Sequence, residues 1–85
     1  MDDKELEALW EQLYNQSKDY FSEKICKQWI IKLKLLYVDE EKVILGAPND
    51  FIREWVQDRY MGFLEDIVAD VLGRRHVSVE TISKQ

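Results

Sequence analysis

The chain holds one cysteine, one proline, one histidine and three glycines in 85 residues. A lone Cys26 cannot close a disulfide within the chain. With no charged-then-apolar leader at the start, that points to a reducing, cytoplasmic setting. Apolar runs such as Leu35-Leu36-Tyr37-Val38 fall far short of the ~20 residues that span a bilayer, so no membrane contact is expected. No Gly-x-x-x-x-Gly-Lys-Ser/Thr loop is present to cradle a phosphate. His76 and Cys26, one of each, cannot assemble a common structural zinc site. His76 reads as a surface residue after a helix end, and Cys26 as a buried, inert thiol on an apolar helix face. The carboxylates lie on helix faces and in a turn, with no acid/base pair set in a pocket. Neither an enzyme nor a cofactor site is expected.

What is present suits one small globular domain. Hydrophobic residues are 46% and aromatics 12%. A chain this short buries only ~60–65% of its unfolded surface, so the core must be used efficiently. The net charge is -5, unevenly spread: residues 25–38 carry +3, whereas residues 39–72 carry -6. An acidic domain is a poor start for duplex binding, which relies on neutralising phosphates.

Periodicity divides the chain. Asp2 and Glu5 have capping-box spacing, and Leu6, Leu9, Trp10 and Leu13, then Tyr20 or Phe21, recur at helical intervals. This predicts a helix over about 3–21. Ser22 can cap a short helix over about 23–30. The period then becomes two. Ile31, Leu33, Leu35 and Tyr37 alternate with Lys32 and Lys34, predicting a strand over 31–38 with the lysines on one sheet face. A polar turn at 39–42 leads to a second strand over 43–47, as an antiparallel hairpin. Asn49 is a good N-cap for a helix over about 50–72, with Ile52, Val56, Tyr60, Phe63, Leu64, Ile67 and Val71 as its apolar stripe and Gly73 as its stop. A third strand over 76–82 follows, its direction not readable. The order α-α-β-β-α-β predicts an α+β two-layer domain, 1–85, with a three-stranded sheet.

Phe51 does not fit that stripe. It projects about 150° from its centre, so a whole aromatic is expected to face water unless it staples onto Pro48 or the short helix. A rigid exposed aromatic is a frequent protein-binding anchor. The first helix has a wide apolar face through Leu6, Trp10 and Tyr14, wide enough to suggest pairing with another copy. Lys32, Lys34, Arg74 and Arg75 are the candidates for a weak single-strand contact. The RNA-clamping GXXG loop is absent, and solvated charges are the plainer reading.

Several of these residues together resemble the N-terminal domain of the bacterial DnaA replication initiators. Leu9-Trp10, Trp29, and Ala47-Pro48-Asn49-x-Phe51 with Trp55 and Tyr60 all fall where that family's pattern has them. The likeness covers nearly the whole chain. It implies a KH-like fold without the GXXG loop, and a function in assembly rather than catalysis. The family's nucleotide-binding and duplex-binding domains are absent, so the chain is expected to be one domain of a longer protein. By resemblance, Asn49 and Phe51, with Ile25 nearby, form the docking face for the replicative helicase and for replication regulators. Trp10, with Leu6 and Tyr14, supports weak self-association, and weak single-stranded DNA binding belongs to some members. Many members carry a proline after the second-helix tryptophan. Its absence here lets the first strand start early, at about residue 31. A docking-face position that is acidic in some members is Ile25 here.

Overall fold

The computed structural model describes residues 2–74 and 77–83. Helix α1 spans Asp3–Ser17 and α2 spans Glu23–Gln28, followed by a single 3-10 turn at Ile30–Lys32. Strands β1 (Lys34–Val38) and β2 (Lys42–Ala47) form the hairpin. Helices α3 (Asp50–Arg59) and α4 (Met61–Leu72) carry the chain across to β3 (Ser78–Ser83). The sheet order is β1-β2-β3, with β1/β2 antiparallel and β2/β3 parallel.

The caps act locally, as their chemistry dictates. Asp2 Oδ1 accepts from the Glu5 N–H at 2.9 Å, Ser22 Oγ from Ile25 N–H at 3.3 Å, and Asn49 Oδ1 from Ile52 N–H at 2.9 Å. Each satisfies a donor that the helix start leaves unpaired. At the far end Gly73 takes φ +67°, and the N–H groups of Gly73 and Arg74 close onto the carbonyls of Asp70 and Ala69. Only a residue without a Cβ enters that left-handed conformation at low cost.

One sheet face is dry. Leu35, Val43, Leu45, Ala47, Val79 and Thr81 point into the core beneath the helices, where they meet Leu13, Ile52, Val56, Leu64, Ile67 and Val68. Each fully buried aliphatic side chain contributes about 1.5–3 kcal/mol. The opposite face is wet, with Lys34, Tyr37, Ser78, Glu80 and Ile82 exposed. This is the expected α+β two-layer architecture.

Four local expectations are corrected. Helix α1 ends at Ser17, so Phe21 reaches the core from the loop and Tyr20 is left at the surface. The first strand starts at Lys34, not at residue 31. The 3-10 turn has a period of three, which aligns Ile30 with Leu33 on the core side and turns Ile31 and Lys32 outward. Ile30 and Leu33 are each 1% exposed, whereas Ile31 is 53% exposed. A bulge follows: Leu35 pairs with Leu45 and Tyr37 with Ile44, so Leu36 is an extra residue. The bulge resets the alternation and sends Tyr37 to the wet face. There Leu36 covers Gly46, whose missing Cβ would lie 2.7 Å from Leu36 Cδ1.

The expected single helix over 50–72 is two helices. Tyr60 leaves helical geometry at φ -119°, ψ -1°. The break rephases the following turns. Val68 is buried, while Phe63 is 47% exposed and Val71 only half-buried. The ring of Tyr60 meets Phe21 edge-on at 5.1 Å.

Candidate functional site

The turn from β2 into α3 builds the first surface of interest. Asn49 lies in extended backbone, its Oδ1 committed to the helix cap. Its side-chain amide N–H groups have no partner among the described residues and face solvent. Asp50 accepts a hydrogen bond from the Ser83 hydroxyl and lies 3.9 Å from Arg53 Nε. The start of α3 is thereby tied to the end of β3.

Phe51 is 63% exposed, as its helical projection predicts. It is not loose. Its ring centroid lies 6.1 Å from Trp29 and 6.0 Å from Trp55, tilted 39° and 34°. Those two indoles stack face to face, 4.7 Å apart and 5° from parallel. The Arg59 guanidinium sits 4.0 Å over Trp55, and Lys32 Nζ lies 5.9 Å from the Trp29 ring centroid. Cations on ring faces are favourable, and more so where water is partly excluded. Trp55 Nε1 is buried with no hydrogen-bond partner among the described residues, which costs stability.

A shallow groove of about 350 Å³ runs along this cluster between Phe51, Glu54, Trp55, Asp58 and Arg59. Its rim holds two carboxylates and one guanidinium, and Phe51 and Trp55 supply its apolar part. Such a surface can grip an apolar group and orient it by hydrogen bonds. It carries no nucleophile. Cys26 is 1% exposed, its sulfur 3.6 Å from Ser17 Oγ. No cluster of His, Cys, Asp or Glu that could hold a metal occurs among the described residues.

Ile25 is half-buried on α2, one helical turn before Trp29, whose N–H donates to the Ile25 carbonyl at 2.9 Å. Trp29, Trp55 and Arg59 are not among the site residues singled out from the sequence. A signal existed for two of them. Phe51, Trp55 and Arg59 are spaced four apart and so share one helix face. Trp29 is far away in sequence and carried no such signal.

The second surface lies on α1. Leu6, Trp10 and Tyr14 form a row at four-residue spacing, all half-buried. Trp10 and Tyr14 are 6.4 Å apart, and Lys18 Nζ lies 5.3 Å from the Tyr14 ring centroid. The exposed Ile31 joins this row, since it and Trp10 together line two adjoining hollows. The alternation in the sequence instead predicts Ile31 on the face of Leu33 and Leu35, which is buried.

Of the described basic candidates, Arg74 stands apart from Lys32 and Lys34. Lys32 and Lys34 sit at one end of β1, on a 3-10 turn and a strand rather than on one sheet face. Arg74 lies at the hairpin end, where its guanidinium donates to the Asp39 carbonyl oxygen. Arg75 and His76 fall outside the described residues. No helix among the described residues is long and apolar enough to cross a membrane.

Comparison with known proteins bears on the family and the fold. A family model described as the DnaA N-terminal domain matches residues 7–70. The chromosomal replication initiator protein DnaA of Deinococcus deserti is 32% identical over 73 residues, covering 86% of this chain and 16% of that relative. Among solved structures, a HobA-DnaA (domain I-II) complex from Helicobacter pylori contains a similar chain. The TM-score is 0.70 at 14% identity, covering 88% of this chain and 98% of that one. At that identity the likeness establishes the fold.

Proposed function

Because the chain belongs to the DnaA N-terminal domain family, we propose that it is the protein-interaction module of a chromosomal replication initiator, working in the cytoplasm. It helps recruit the replicative helicase to the opened origin and receives replication regulators. A HobA-DnaA complex is known for a chain of similar fold, which supports a protein partner here. The observation that carries the reading is Phe51, 63% exposed yet braced on Trp29 and Trp55. An aromatic held rigid in water loses little entropy on docking and gains the burial of its exposed part.

In this reading Phe51 enters a partner pocket, Asn49 donates its amide hydrogens to fix register, and Ile25 lies at the margin through Trp29. Leu6, Trp10 and Tyr14 serve weak self-association on a separate surface.

The test is capture of the cognate helicase by the 85-residue chain. Phe51→Ala is expected to weaken capture at least thirtyfold while the thermal unfolding midpoint moves by no more than a few degrees. Undiminished capture by that variant overturns the anchor role.

A further inference from the structure

A groove of about 490 Å³ runs beside α1, between the helix and residues 31–36. Asp3 and Glu7 line its helix wall, and Lys32 and Lys34 line the wall opposite. Leu6, Trp10 and Ile31 also line it and supply an apolar strip. All four charged residues are exposed, and none forms an ion pair among the described residues. The surface thus has an acidic row and a basic row flanking apolar groups, and neither row is neutralised by an ion pair among the described residues.

A surface with that pattern is its own complement in one orientation. Two-fold pairing brings the same patch of both copies together. If the axis runs along the groove, the acidic row of each copy falls over the basic row of the other, twice. If it runs across the groove, acid meets acid and base meets base, and like charges at an interface cost affinity. Resting on the self-association reading above, we propose that this groove is the contact face for a second copy. Its charge rows set a two-fold axis along the groove, so that the two α1 helices run parallel. Ile31 then becomes an anchor beside Trp10.

Exposed pairs are individually weak and screened by salt, but each acts twice in such a dimer. Sedimentation equilibrium of the 85-residue chain at low and high salt gives the test, with circular dichroism confirming that each variant is folded. Reversing the acidic row (Asp3→Lys with Glu7→Lys) is expected to weaken dimerisation about tenfold at low salt. Reversing the basic row (Lys32→Glu with Lys34→Glu) should do the same. The variant carrying all four changes should recover affinity to within about threefold. Trp10→Ala separates the two ideas. If it weakens dimerisation while the row reversals leave it unchanged or tighten it, the axis proposal fails and self-association through α1 stands. If Trp10→Ala has no effect, or the unaltered chain stays monomeric, the self-association reading fails and this proposal with it.

Discussion

The indole of Trp29 lies flat on that of Trp55, 4.7 Å between centroids and 5° from parallel. This joins the end of α2 to the middle of α3 and gives Phe51 a rigid seat. Two indoles at that separation couple electronically. Trp29→Phe is therefore expected to abolish an exciton couplet in the circular dichroism spectrum, while Trp10→Phe leaves it intact. Trp29→Ala should cost about 2–3 kcal/mol of stability, less than a fully buried aromatic, because Trp29 is only half-buried. Chemical denaturation reads the second effect.

The two ends of the Asn49 amide differ. Its oxygen caps α3, and its nitrogen has no partner among the described residues. Asn49→Ala is expected to cost about 1 kcal/mol through the lost cap. Asn49→Asp keeps an oxygen for the Ile52 N–H and adds a charge that the helix dipole favours. Stability should hold within about 0.5 kcal/mol, yet partner capture should fall, because the donor is gone. Equal capture by Asn49→Asp would assign Asn49 to the cap alone.

Asp39 ties the hairpin turn. Its carboxylate accepts from the N–H groups of Lys42 and Glu41, each at 2.7 Å, and from the Tyr37 hydroxyl at 2.9 Å. These hydrogen bonds, that from Lys42 first, hold its carboxyl below the ordinary value of 3.8. A depressed folded-state value means the stabilisation is present above about pH 4 and is lost as pH falls through the folded value. Asp39→Asn is expected to flatten the acid limb of stability below pH 4. Urea midpoints measured from pH 2 to 6 check it, and an unaltered acid limb would exclude the turn as its source.

Gly73 is in the left-handed region at φ +67°, with open space around the position a Cβ would take. Gly73→Ala therefore strains the backbone without a clash. The cost should be about 1–2 kcal/mol, visible as a lower thermal midpoint.

These features differ in how far they could be read beforehand. Asp2, Ser22, Asn49 and Gly73 were legible because a cap involves only the three or four residues beside it. The exposure of Phe51 was legible for a similar reason: one turn of α3 decides which side faces Ile52 and Val56. The alternation through Ile31 and Tyr37 misled, because a 3-10 turn and a bulge interrupt the strand and each shifts the phase. The stripe of the expected long helix held at Ile52, Val56, Leu64 and Ile67 but misled at Phe63 and Val71, once the chain turned at Tyr60.

Composition, caps and periodicity by themselves determined the two-layer α+β class, the starts of α1, α2 and α3 and the outward aromatic, since each depends on neighbours within a turn or two. Only the tertiary structure decided that β3 lies parallel to β2, that Trp29 supports Phe51, and that Ile31 joins Trp10. It also set the acidic wall of α1 opposite Lys32 and Lys34. Those pairings are between residues far apart in the chain, and they follow from the packing of whole elements to close one core.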